Sequence, residues 1–227
     1  MNAQKEKMPF VERAVRSFSL HIVGRESATS FARQKLLEGK TLLWGGEFGK
    51  AAIKFDEALL EDKGLSREAA RSLFRHGRLL LWVGKVRMAD SCFWKAAAVD
   101  FGWSQKNIAH AYQNAAIRLA RKNGGGFEGR LEQIRAHAEN AVRYGADKGA
   151  IANKLAKAVE KSIYGAFVFA KGISAEKLPF LERLLELAEE MHPPVSGKAD
   201  EMRGVIRMAL EKSGSNYQDV PAADGIT

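Results

Sequence analysis

Residues 32–66 read ARQKLLEGKTLLWGGEFGKAAIKFDEALLEDKGLS, and residues 70–104 read ARSLFRHGRLLLWVGKVRMADSCFWKAAAVDFGWS. Laid over one another at a step of 38, they share Ala32/Ala70, Arg33/Arg71, Gly39/Gly77, Leu42/Leu80, Leu43/Leu81, Trp44/Trp82, Gly46/Gly84, Ala51/Ala89, Phe55/Phe93 and Ala58/Ala96. Asp62/Asp100, Gly64/Gly102 and Ser66/Ser104 carry the match into the next connection. Unrelated stretches of this length share about two residues by composition alone. A fixed period of roughly 20–50 residues marks stacked repeats, in which each unit buries its apolar side only against a neighbour.

Each copy reads as helix, glycine turn, helix. The first copy predicts helices over 28–44 and 48–60 around Gly45-Gly46, and the second over 67–83 and 86–99 around Gly84. Ser66 and Ser104 stand where helix N-caps are needed. Gly39 and Gly77 lie in mid-helix, where glycine costs about 1 kcal/mol relative to alanine. That cost predicts a close approach of the partner helix, with Ala51 and Ala89 on its small side and Phe55 and Phe93 filling the space one turn on.

The pattern resembles the tetratricopeptide repeat. That family pairs two antiparallel helices around a small residue in the first, a Gly before an aromatic at the turn, and two small residues flanking an aromatic in the second. Gly39, Gly46, Phe48, Ala51, Phe55 and Ala58 take those places in the first copy, and Gly77, Gly84, Ala89, Phe93 and Ala96 in the second, with Val86 for the turn aromatic. Lys35 and Leu73 replace a frequent Trp, Lys63 and Phe101 replace the usual terminal Pro, and the step of 38 exceeds the family's standard of about 34.

Outward from these copies the pattern drifts. A third pair is expected over 104–122 and 131–144, joined by a glycine-rich loop over 124–129 and closed by Gly145. A fourth is expected over 148–170 and 175–191, stopped by His192-Pro193-Pro194. A terminal helix over 198–212 would cover the last pair, as arrays require. On the other side, Phe10, Val11, Ala14, Val15, Phe18 and Ile22 follow a helical period. Residues 1–8 read as a flexible start, and the small, polar residues 213–227 as a disordered tail. The expected fold is all-α: an α-solenoid of about four stacked antiparallel helix pairs with N- and C-terminal capping helices, in a single repeat domain over 9–212.

A length of 227 residues with 46% hydrophobic content allows a real core, and a net charge of +9 favours acidic partners, anionic surfaces or nucleic acid. The single cysteine, Cys92, excludes an internal disulfide framework and fits a reducing compartment. It sits beside Phe93 in an apolar helical stretch, which predicts a small buried side chain rather than a nucleophile. The charged start has no apolar signal-peptide core, and the apolar runs at 79–84 and 165–170 are too short to cross a bilayer. The expectation is a cytoplasmic protein without membrane insertion.

A second stripe runs along the first helix of each copy. Arg71, Arg75, Arg78 and Trp82 fall on one helical face, and Arg33, Leu37, Lys40 and Trp44 on the equivalent face of the preceding copy. Guanidinium groups form paired bonds with carboxylate or phosphate, and an adjacent indole offers a flat apolar platform. The resemblance implies that these faces line a concave groove that takes an extended peptide. Arg33, Lys40, Trp44, Arg71, Arg75, Arg78 and Trp82 are therefore the candidate partner-binding residues, and the ligand is an acidic or carboxyl-terminal peptide. Equally, the same residues suit a solvated basic face with each Trp wedged between helices. The expected function is a protein–protein interaction module, an adaptor or chaperone-like scaffold. The alternative is nucleic-acid binding along the same surface, and self-association through the chain's own tail or a second copy is a third use.

The remaining signals are weaker. Arg118, Arg121 and Lys122 precede Gly124-Gly125-Gly126, but neither these nor Gly49-Lys50 have the spacing of a phosphate-binding loop. Lys154, Lys157 and Lys161 read as a solvated stripe, and Glu57, Glu61 and Asp62 as a surface acidic run at a helix end. The histidines at 21, 76, 110, 137 and 192 lack metal-ligand spacing, and no nucleophile, base and acid fall into a catalytic arrangement. Neither a cofactor, a metal nor an enzymatic activity is expected.

Overall fold

The computed structural model describes residues 31–122, 126–168 and 177–212. The helix expected over 10–22, the start over 1–8, His21 and the tail over 213–227 lie outside these residues. The described residues are helical, with no strand among them. Two antiparallel hairpins come first: α1 (Phe31–Trp44) with α2 (Phe48–Glu61), and α3 (Ser66–Trp82) with α4 (Val86–Val99). Three of their ends coincide at the step of 38, from 44 to 82, 48 to 86 and 61 to 99. There follow α5 (Phe101–Arg121), α6 (Phe127–Arg143), α7 (Lys148–Val168), α8 (Lys177–Met191) and α9 (Ser196–Lys212). They form two compact units, dividing between Ile108 and Ala109 inside α5.

Two connections recur. At the end of α1 the Gly46 and Glu47 amides donate back to the Leu43 and Leu42 carbonyls, which satisfies two carbonyls left open by the helix end. The α3 end repeats these bonds at Gly84 and Lys85, and the α6 end at Gly145 and Ala146. Each turn needs a left-handed residue, supplied by Gly46 (φ 86°), Gly84 (φ 83°) and Gly145 (φ 90°).

The second connection starts from an extended residue: Asp62 after α2, Asp100 after α4 and His192 after α8. A single 3-10 turn follows at Lys63–Leu65 and at Pro193–Val195. Here the capping differs from the sequence expectation. The Asp62 carboxylate accepts from the Gly64 amide (2.8 Å) and the Asp100 carboxylate from the Trp103 amide (3.1 Å). These aspartates, four residues upstream of the serines, hold the free amides first. Ser66 is the first residue of α3 and makes no cap bond through its N-cap neighbour Leu65, and Ser104 is buried, its hydroxyl donating to the Ala96 carbonyl (2.9 Å). α5 accordingly starts at Phe101 rather than at 104. α6 starts at Phe127 rather than at 131, because Gly126 turns the chain in one left-handed residue (φ 76°).

Gly39 and Gly77 are where the hairpins close. A Cβ on Gly39 would stand 2.9 Å from the Phe55 ring, and one on Gly77 would stand 2.8 Å from the Phe93 ring and 3.0 Å from the Cys92 Cβ. Ala51, Phe55, Ala58, Ala89, Phe93 and Ala96 are fully buried, as the spacing of the copies predicts. Phe74 joins Phe93 (5.8 Å between ring centres) and meets the Trp103 ring edge-on (5.5 Å). The Lys95 ammonium spans to both Asp56 oxygens (2.7 Å), tying α4 to α2.

In the second unit α7 packs on α8, and α9 packs on both. Leu155, Val159, Leu181, Leu184, Leu185 and Ile206 are buried together with Tyr112, whose ring stacks on Tyr144 (6.1 Å). The Arg203 guanidinium bonds Glu189 and Asp200, and Lys198 bonds Glu160 (2.8 Å). None of the helices among the described residues is long and apolar enough to cross a membrane.

Candidate partner-binding face

All seven residues singled out by sequence belong to α1 and α3, but the two helices treat them differently. On α3, Arg71, Arg75, Arg78 and Trp82 fall within about 60° around the helix axis, and all four are exposed. Trp82 keeps 64% of its surface in solvent. No hydrogen bond or ion pair engages Arg75 or Arg78 among the described residues. The Arg71 guanidinium lies 5.6 Å from the centre of the Trp103 ring, so that this residue rests on the end of the Phe93–Phe74–Trp103 row. Arg67, one turn earlier, lies on the same side and makes a 3.5 Å bond to Asp100.

On α1 the equivalents of that face are largely taken up by the protein itself. Arg33 is exposed and Leu37 half-buried. Lys40, which sequence placed in the same lining as Arg78, is only 6% exposed and bonds Glu68 of α3 at 2.5 Å. Trp44 is half-buried, meeting the His76 ring edge-on at 5.1 Å. His76 is buried, its Nδ1 has no hydrogen-bond partner, and burial pushes its pKa down to about 4. Of the α1 stripe, Lys40 and Trp44 are thus taken up by contacts with α3 while Arg33 meets solvent, whereas on α3 all four positions meet solvent.

The stripe does not recur 38 residues further on. Ala109, Gln113, Ala116 and Ala120 occupy those places and are buried, and the Gln113 amide oxygen accepts from Lys154 (3.1 Å). That bond removes Lys154 from a purely solvated stripe. Sequence reasoning missed Arg67, Trp103 and Glu68. Arg67 is legible as one more turn of the arginine spacing, whereas Trp103 and Glu68 need the packing of neighbouring helices.

The other candidates resolve into structural roles. Cys92 is buried and its thiol is pushed up to about 12. Glu57 is held below the usual carboxylate range by Lys54 and Lys35, which bond it at 2.8 and 3.2 Å. Arg118, Arg121 and Lys122 are exposed, and the Lys122 carbonyl accepts from the Arg130 guanidinium (2.7 Å), which itself lies against the Phe127 and Phe180 rings. Among the described residues no three His, Cys, Asp or Glu side chains gather as a metal site. Compared with protein-family models, with curated proteins and with solved structures, the chain matches none.

Proposed function

We infer that this chain is a protein–protein interaction module, a tetratricopeptide-like array of stacked helix pairs that binds an acidic peptide along α3. The observation that carries this reading is the state of Arg75, Arg78 and Trp82: exposed, on one face, and without internal acid partners. Three like-charged pairs at helical spacing, Arg67/Arg71, Arg71/Arg75 and Arg75/Arg78, each weaken an isolated helix by about 0.2–0.5 kcal/mol. The sole acid of α3, Glu68, bonds Lys40. An acidic partner relieves that repulsion, with the indole as an apolar platform beside it.

Charge reversal at Arg71 and Arg78 together abolishes partner capture in a pull-down and shifts the melting temperature by no more than about 3 °C, the worth of the Arg71–Trp103 contact. Unchanged capture refutes the reading. The net charge of +9 favours nucleic acid as a second reading. A mobility-shift titration with RNA and DNA at two salt concentrations tests it, since released counterions make such binding fall steeply with salt.

A further inference from the structure

Ile53, Leu60 and Trp94 keep 58%, 84% and 69% of their surface in solvent, and all three stand on the second helices of the hairpins. Three contacts place those helices. Lys40 meets Glu68, and Trp44, one turn on, meets His76, so α1 and α3 run in the same direction, as do their antiparallel partners α2 and α4. Lys95 of α4 bonds Asp56 of α2, which fixes the sides that face one another. At about 100° per residue, Ile53 and Leu60 lie about 40–60° from Asp56, opposite the buried Ala51, Phe55 and Ala58. Ser91 and Ala98, both exposed, lie about 40–60° from Lys95 on the corresponding side, and Trp94 about 100° from it. The two helices therefore border an outward-facing groove over the Lys95–Asp56 pair. Ile53 and Leu60 line one wall, and the small Ser91 and Ala98, backed by Trp94, line the other.

Residues 10–22 of the same chain carry a matching pattern. Phe10, Ala14, Phe18 and Ile22 recur every fourth residue, and with Val11 and Val15 they fall within about 140° of a helix. The groove is within reach. Residues 23–30 separate Ile22 from Phe31 and span up to about 26 Å. The start of α1 lies at the same end of its hairpin as Leu60, and the hairpin partner is about 10 Å across. The competing place for such a helix is the leading side of the first hairpin, where α1 and α2 hold the positions that Leu73, His76 and Cys92 take in the second. There Lys35, Glu38, Lys54 and Glu57 pair with one another, and an apolar helix laid on them would strip water from paired charges. We propose that residues 10–22 lie as a helix in the α2–α4 groove of their own chain. Phe18, the central aromatic of the segment, packs on Trp94, and Ala14, one turn away, comes beside Ser91 or Ala98. The segment covers the outer apolar face, and an amphipathic helix of another protein has to displace it to bind there. The α3 arginines take no part in this contact, so its failure leaves the acidic-peptide reading untouched.

The test uses the full chain with paired cysteines: Ala14→Cys together with Ser91→Cys, with Ala98→Cys, or with Gln34→Cys on α1, one turn from Glu38. Ser91, Ala98 and Gln34 are exposed, and the buried Cys92 stays in every variant. In a glutathione redox buffer, closure within the monomer, read by non-reducing electrophoresis, is expected at least about tenfold faster for the Ser91 or the Ala98 pair than for the Gln34 pair, which meets only by chance encounter. Thermal melts of the full chain give a second readout. Trp94→Ala and Phe18→Ala are each expected to lower the melting temperature by about 2–4 °C, and the double variant to fall no further than the larger single loss, because the two rings cover one another. Fastest closure at Gln34, equal closure in all three pairs, closure in none, or a disulfide between two chains overturns the proposal. So does an unchanged melting temperature in Trp94→Ala, the result for a ring without a cover, or fully additive losses in the double variant.

Discussion

The same hairpin is built twice in this chain, and beside a shared glycine–phenylalanine closure one copy adds charged contacts where the other buries its side chains. Lys35, Glu38, Lys54 and Glu57 form a linked ionic cluster between α1 and α2, with contacts of 2.8–3.9 Å. Thirty-eight residues on, the same places hold Leu73, His76, Cys92 and Lys95, of which the first three are buried. The backbone does not distinguish the copies, since both share the glycine turn and the glycine–phenylalanine closure. Exposure does: the cluster in the first copy is part-exposed, whereas His76 in the second lies against Trp44 of the first. A side chain in a repeat is chosen by what its copy packs against as much as by its place in the hairpin.

Exchanging residues between the copies breaks that comparison most strongly at Leu73. Leu73→Lys copies the first hairpin into a fully buried position and forces an ammonium into the core. It is expected to cost at least about 3 kcal/mol, read as loss of the cooperative transition or a shift of more than about 6 °C in a thermal melt. The reciprocal Lys35→Leu is expected to stay within about 3 °C. Equal effects would show that the two faces are not different environments.

Gly77→Ala comes next. The new methyl meets the buried Phe93 ring and the Cys92 Cβ, and neither can withdraw freely. Overpacking of this kind costs about 1–3 kcal/mol, which exceeds the gain in helix propensity. Gly39→Ala follows the same course against Phe55. Stabilisation by either substitution in a denaturant titration would contradict the close approach.

His76 gives a pH dependence with a definite sign. The unfolded chain protonates this imidazole near 6.5, whereas the folded chain holds it neutral down to about 4. As pH falls from 6.5 to 4 the unfolded state takes up a proton that the folded state refuses, so stability declines across this window and levels off below it. The size is about 3 kcal/mol. The difference between wild type and His76→Leu, followed by denaturant midpoint from pH 7.5 to 4, isolates this contribution from the carboxylates. A constant difference across the range would contradict it.

The smallest effect belongs to the ionic cluster. Glu57→Gln removes the acid shared by Lys35 and Lys54, lowers stability slightly at low ionic strength, and loses its effect in 1 M NaCl, where screening shortens to about 3 Å. A loss that persists undiminished in high salt would mean that Glu57 acts through packing instead.

Much of the fold was legible because its signals are local. Gly39, Gly77, Phe55 and Phe93 declare the hairpin closure, and Gly46 and Gly84 the turn, from spacing alone. The caps were misread because Asp62 and Asp100 act through extended backbone, a conformation that helical periodicity does not report. At the candidate site, the one-sided placement of Arg71, Arg75, Arg78 and Trp82 follows from helical geometry and could be read in advance. The fate of Lys40 could not. It depends on Glu68, 28 residues away on another helix, and a basic residue on a polar stripe looks the same in sequence whether or not an acid reaches it.

That contrast gives the most direct measurement: parallel thermal melts of Lys40→Ala and Arg78→Ala, the same truncation at equivalent positions. Lys40→Ala deprives Glu68 of a buried partner and is expected to lower the melting temperature by about 3–6 °C. Arg78→Ala relieves repulsion with Arg75 and is expected to leave the melting temperature unchanged or slightly raised. A fall with Arg78→Ala as large as that with Lys40→Ala would contradict the account, because the arginine face of α3 would then be holding the fold together rather than waiting for a partner.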